Sequence, residues 1–125
     1  ELDPDLAKRA SRRFLSDPQV QIILGNSAEV LGGILKSISA PCIFWLDAHY
    51  SGGITAKAES ETPIAQELLH IFRHGVKTHV VLIDDAWSFG TIKDYPSMSE
   101  LRRFVESQNP RAKLQVKQGI IRIDV

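Results

Sequence analysis

The chain has 125 residues, with 15 Lys plus Arg against 15 Asp plus Glu and a formal net charge of zero. That length suits one domain around a single core, and the balanced charge gives no basic footprint for a nucleic-acid partner. No apolar run approaches the ~18 residues needed to span a bilayer and no signal-peptide pattern opens the chain, so a membrane partner is not expected either. The single cysteine, Cys42, has no intrachain disulfide partner, which makes a reducing cytoplasm the default compartment.

Taken in order, the elements alternate between helix and strand. Asp3 is a good N-cap and Pro4 fits the first helical position. The helix that follows, to about residue 15, puts Leu6, Ala7, Ala10 and Phe14 on one face and Lys8, Arg9, Arg12 and Arg13 on the other. Asp17-Pro18 makes a turn, and residues 20–24 read as a strand closed by Gly25. Ser27 can cap a second helix over 28–38, with Val30, Leu31, Ile34, Leu35 and Ile38 inward. Residues 41–46 form a continuous apolar run, as expected of a strand buried on both faces, with Trp45 in the core. Residues 52–61 are polar, carry Gly52 and Gly53, and read as a lid. Thr62-Pro63 opens a third helix with Ile64, Ala65, Leu68, Leu69 and Phe72 as its core face. Residues 80–83 form another buried strand. Ser97 and Glu100 spell a capping box for a helix to about residue 107. Two final strands, 114–117 and 120–124, flank Gln118-Gly119. Strands separated by helices predict an α/β fold, a mostly parallel sheet with helices on both faces, closed by an antiparallel hairpin.

The most informative run is IFWLDAHYSGG, residues 43–53. An apolar strand stops at Asp47 and is followed by His49, Tyr50 and two glycines. In open α/β sheets ligands bind outside the carboxyl ends of the strands, so this run places a carboxylate, an imidazole and a phenol where chemistry is done. HVVLIDDAW, residues 79–87, repeats the pattern and ends in Asp84 and Asp85. Successive strand side chains alternate, so one of these two acids faces the crevice with Asp47 and the other bonds backbone. An ionised Asp at the end of a buried strand is costly without partners or a job. Asp47 is therefore read as a base, a metal ligand or a cap for the following loop, and His49 as a base or a satisfied loop histidine. Oxygen donors of this kind suit Mg²⁺, Mn²⁺ or Ca²⁺ rather than zinc. Trp87 can wall the pocket. His70 and His74, four apart on a helix, lack a third ligand nearby and read as a solvated face.

The order acid-turn-helix, strand-Gly-Asn-Ser-helix, strand-Asp, helix, strand-Asp-Asp, helix, hairpin resembles the later two-thirds of a class I S-adenosylmethionine-dependent methyltransferase. The most specific part is LDAHYSGG followed by TPI and LIDDA. That combination is similar to bacterial methyltransferase-like proteins associated with sugar or polysaccharide modification. It is similar, more distantly, to macrocin-type and catechol-type O-methyltransferases, in which acids at two strand ends hold a divalent metal. The resemblance implies a Rossmann-like three-layer α/β/α domain that is incomplete at its N-terminus, because the family's first strand and glycine-rich loop have no counterpart here. It implies that Glu1 accepts hydrogen bonds from the cofactor's ribose hydroxyls, that Leu2 packs on the adenine, and that Asn26 and Ser27 face the adenine edge. Ser27 is equally explained as a helix cap. Asp47 joins this cofactor side and, with His49, the catalytic pair; Tyr50 and Trp87 contact the methyl acceptor; Asp47, Asp84 and Asp85 are the candidate metal ligands.

Two readings follow. One is O-methylation of a hydroxylated small molecule or sugar, using S-adenosylmethionine and leaving room for Mg²⁺ or another divalent cation. The other is a non-catalytic Rossmann-like binding or oligomerisation domain. In the family's strand order two missing strands lie between 20–24 and 42–47. Those two segments are therefore expected to stay unpaired with each other, or to have a second copy fill the gap as a homo-oligomer.

Overall fold

The computed structural model describes residues 1–47, 62–93 and 95–125. Helix α1, Pro4–Arg13, is capped as its sequence predicts: Asp3 accepts from the backbone N–H groups of Asp5 and Leu6 at 2.8 and 2.9 Å. Helix α2, Ser27–Leu35, starts one residue earlier than expected. Asn26, not Ser27, is its N-cap and accepts from the Ala28 N–H at 3.1 Å. Strand β1, Ile43–Leu46, leads through α3, Ile64–Arg73, to β2, Val80–Ile83. A short 3₁₀ turn, Ala86–Ser88, precedes α4, Met98–Gln108, whose capping box of Ser97 and Glu100 forms as read. Strands β3, Lys113–Lys117, and β4, Ile120–Asp124, are joined by Gln118 and Gly119 at φ 52° and 80°. Positive φ at both central residues is what a two-residue hairpin loop needs to match strand twist.

The sheet order is β1-β2-β4-β3. β1 and β2 are parallel, while β4 is antiparallel to both β2 and β3. The sheet is thus mixed, and one of its three pairings is parallel, which corrects the mostly parallel expectation among the described residues. The hairpin is antiparallel as read, but its second strand joins β2 and leaves β3 at the edge.

Residues 20–24 form no strand. They run extended and share backbone bonds with the chain start: the Glu1 amino group donates to the Ile23 carbonyl at 2.9 Å, and Gly25 N–H to the Glu1 carbonyl at 2.9 Å. A strand exists only through a neighbour's ladder, and the described residues provide none here. Among the described residues β1 pairs with β2 alone.

The pleat sorts the core. Phe44, Leu46, Val81, Ile83, Ile121 and Ile123 share one face by register. Against them lie Leu68, Ile71 and Phe72 of α3 and Leu101 and Val105 of α4. The Phe72 and Phe104 rings meet edge to face at 6.0 Å, so both helices sit on the same side of the sheet. Ile71, Val81, Ile121 and Ile123 are wholly buried, each contributing about 1.5–3 kcal/mol relative to exposure. On the opposite face Ile43 is 72% and Trp45 53% exposed. Trp45 is therefore not in the core, and the second helical layer of the expected α/β/α arrangement is not found over it among the described residues. The described residues form a small α/β domain with four α-helices and a four-stranded mixed sheet. Among the described residues no helix is long and apolar enough to cross a membrane.

Candidate functional site

Parallel pairing brings two strand ends together. Leu46 and Ile83 are register partners, and Asp84 N–H donates to the Leu46 carbonyl at 3.1 Å. The next residues, Asp47 and Asp84, therefore emerge side by side at the carboxyl edge, where α/β sheets bind ligands. Both line a cavity of about 10 Å³, together with Thr62, Glu67 and Tyr95 over an apolar base of Leu46, Ile64 and Ile83. A space of that size holds about one water molecule.

Asp84 and Asp85 lie beyond the end of β2 and take different partners. Asp84 faces the cavity, and its carboxylate also accepts from Asp85 N–H at 2.8 Å. Asp85 takes a left-handed conformation, φ 53°, and its carboxylate accepts from the Trp87 indole at 2.9 Å. Trp87 is 63% exposed and is not among the described residues that line this cavity. Among the described residues no three of His, Cys, Asp and Glu are grouped to hold a metal ion. Asp85, turned toward Trp87, does not join Asp47 and Asp84 in the cavity lining. His49, Tyr50 and the lid at 51–61 lie outside the described residues.

Three lining residues were missed in the sequence. Glu67 is 3% exposed on α3. Burial pushes its carboxyl above the ordinary range, and a hydrogen bond with the Ser27 side chain partly offsets this. The true inward stripe of α3 is Ile64, Glu67, Leu68, Ile71 and Phe72, whereas Ala65 is exposed. A carboxylate at the i+3 position of an apolar stripe was the available signal. Tyr95 is raised first by burial and then by the Asp85, Asp47 and Glu67 charges, against a hydrogen bond with Thr62 that lowers it. A phenol held neutral beside carboxyl groups serves as a hydrogen-bond donor. Thr62 also accepts from Ile64 N–H at 3.3 Å, which ties the start of α3 to the cavity.

The residues assigned to the cofactor side converge in part. Through the two backbone bonds with Ile23 and Gly25, Glu1 and Leu2 run beside the turn that carries Asn26. One Glu1 carboxylate oxygen accepts from Asp3 N–H at 3.0 Å, and the Asn26 side chain is engaged as a cap.

The three described histidines, His70, His74 and His79, are all engaged. His70 Nε2 donates to the Ala28 carbonyl at 2.9 Å. At the other end of the sheet, His79 Nδ1 accepts from Cys42 N–H at 3.0 Å. Its Nε2 therefore carries the proton and donates to His74 Nδ1 at 2.8 Å. This end also has a hollow of about 420 Å³ lined by Lys77 and Arg111. Lys77 donates to the Phe72 carbonyl at 2.6 Å, a cation satisfying the carboxyl end of α3.

No protein-family model, curated protein or solved structure matches the chain.

Proposed function

We propose that the domain belongs to an S-adenosylmethionine-dependent O-methyltransferase of the cytoplasm that modifies a hydroxylated small molecule or sugar. The observation that carries this reading is the pairing of Asp47 and Asp84 at adjacent strand ends. When bound, S-adenosylmethionine supplies a methyl group on a sulfonium: the oxygen–carbon bond forms as the carbon–sulfur bond breaks, and the electron pair leaves with sulfur. Asp47 or His49 takes the acceptor's hydroxyl proton, a general-base role that contributes about 10²–10⁴-fold to rate. Glu1 and Leu2 hold the ribose and adenine beside Asn26. The oxygen donors of Asp47 and Asp84 suit a hard divalent cation, but among the described residues no third ligand completes the set, and no step here runs through a metal.

The test is calorimetric titration with S-adenosylmethionine and S-adenosylhomocysteine. It is followed by transfer of labelled methyl to a panel of sugars and phenols, with and without Mg²⁺. Saturable binding and label in an acceptor support the reading. Lack of binding at millimolar concentration overturns it in favour of a non-catalytic binding or oligomerisation domain.

A further inference from the structure

The amino end of the sheet is tied by a chain of three hydrogen-bonding groups drawn from three places in the sequence. Cys42 N–H donates to His79 Nδ1 at 3.0 Å, and the His79 and His74 rings meet through Nε2 and Nδ1 at 2.8 Å. Cys42 precedes β1, His79 precedes β2, and His74 closes the carboxyl end of α3. The backbone around them is bonded too: Val80 N–H donates to the Cys42 carbonyl at 3.0 Å and Val125 N–H to the His79 carbonyl at 2.9 Å. His79 is 1% exposed; its ring lies 23° from parallel with that of His74 and meets the Phe44 ring edge to face at 5.1 Å.

A backbone N–H can only donate. His79 Nδ1 must therefore keep its lone pair, its Nε2 must carry the hydrogen, and His74 Nδ1 must accept. The chain closes only while both imidazoles are neutral. A proton added to His79 Nδ1 faces the Cys42 N–H. A proton added to His74 Nδ1 faces the His79 Nε2–H, and moving that hydrogen across the ring brings the same donor–donor contact to Cys42. The charged surroundings oppose a proton as well. Burial first, then the charges of His74 and Lys77, hold the His79 pKa below the ordinary histidine value. Among the described residues no carboxylate and no charged group of α4 offsets them. From β1 come the Phe44 ring and the Cys42 thiol, whose Sγ donates to the Ala40 carbonyl at 3.5 Å. The Asp124 carboxylate of β4 is held by Arg122 at 2.8 Å on the other face of the sheet, and Arg73 of α3 is exposed.

We infer that the Cys42–His79–His74 chain is a proton-operated latch between the amino end of β1 and the connection from α3 to β2, closed while both rings are neutral and opened when either takes a proton. Opening frees the Cys42 N–H and leaves the start of β1 held to β2 by the bond from Val80 N–H. The latch sits at the opposite end of the same two strands from Asp47 and Asp84 and is independent of the proposed activity.

Nitrogen NMR of the wild-type imidazole rings comes first. At pH 8 His79 should be the neutral Nε2–H tautomer with a bare Nδ1; a charged ring or an Nδ1–H tautomer at that pH overturns the latch. Amide hydrogen exchange then follows Cys42 N–H between pH 8 and 5, each rate divided by that of an unstructured peptide at the same pH. Below about pH 6.5 the wild-type ratio should rise about tenfold or more per pH unit, because the open form binds a proton that the closed form refuses. The Leu101 and Val105 amides of α4 should not follow it. In His79→Asn the side-chain oxygen gives Cys42 an acceptor that takes no proton, so the ratio should stay level. A flat wild-type profile overturns the proposal. So does an equal rise at Leu101 and Val105, since the whole domain is then opening. A rise in folded His79→Asn that matches wild type removes the imidazole as its cause and overturns the latch as well. The ring tautomer and the wild-type profile decide the matter even where His79→Asn does not fold.

Discussion

Adjacent glycines in α2 should respond in opposite directions to the same substitution. Gly32 and Gly33 both lie inside the helix, where Ala is favoured over Gly by about 0.8–1 kcal/mol. At Gly33 a Cβ meets nothing within 4 Å, so Gly33→Ala should stabilise the protein by about 1 kcal/mol. At Gly32 the Cβ would stand 2.9 Å from two atoms of the His70 ring and 3.6 Å from Cγ. Ordinary contact begins near 3.5 Å, so the ring must retreat by roughly half an ångström, and its hydrogen bond to Ala28 resists this. Forcing a methyl group into a packed contact costs about 1–3 kcal/mol, and loss of the bond adds about 1 kcal/mol. After the propensity gain, Gly32→Ala should destabilise by about 1–3 kcal/mol, placing the two variants about 2–4 kcal/mol apart. Urea unfolding followed by far-ultraviolet circular dichroism measures both on one scale. In a Gly32→Ala/His70→Ala double variant the penalty of the first substitution should largely vanish, because the clashing ring is gone. Equal stabilities for Gly32→Ala and Gly33→Ala would refute the packing argument and, with it, the close approach of α2 and α3.

Three further outcomes are expected. His79 is 1% exposed, and its pKa is lowered by burial first and then by His74 and Lys77. The unfolded chain therefore binds a proton near pH 6.5 that the folded chain refuses, so this contribution is fully present above about pH 6.5 and declines as pH falls below it. Glu67, raised by burial, acts in the opposite sense. The comparison is therefore urea stability of wild type against His79→Gln between pH 8 and 5, and parallel profiles would dismiss the effect. Asp47→Asn should lower methyl transfer by about 10²-fold or more with little change in unfolding temperature, since the side chain is exposed; wild-type turnover would remove Asp47 from the mechanism. Trp45→Lys, on the bare face of edge strand β1, should reduce self-association in sedimentation velocity at high protein concentration, because a charged edge resists strand addition. Identical sedimentation of the two proteins would show that this edge does not pair.

Local signals in the chain carried much of this architecture. Asp3 before Pro4, Ser97 three residues before Glu100, and Gln118-Gly119 between two alternating runs each specify backbone geometry within a few residues, and all three form as read. The acids after two apolar runs were legible for the same reason: a parallel pair puts both carboxyl ends on one edge. Asp84 and Asp85 follow the end of β2, and it is the left-handed turn at Asp85 that accompanies their different partners.

What sequence alone left open involves partners far along the chain. Residues 20–24 have strand composition, but a strand is defined by a ladder, and the segment's backbone bonds go to Glu1 instead. Trp45 has the hydrophobicity of a core residue, yet its burial depends on a layer over that face of the sheet, and α3 and α4 both pack on the other. Periodicity placed the α3 stripe slightly out of phase, because a buried Glu67 looks polar until its contact with Ser27, forty residues earlier, is known. His79 likewise reads as a strand-flanking imidazole until Cys42 and His74 define its tautomer. Sequence by itself determined the helices, the strands other than 20–24, the caps at Asp3 and Ser97 and the acids at two strand ends, because those follow from neighbours within a few residues. Tertiary structure alone decided which faces are covered, where β4 inserts and which buried polar groups meet, because these depend on contacts whose entropy and desolvation costs are met only when distant segments pack.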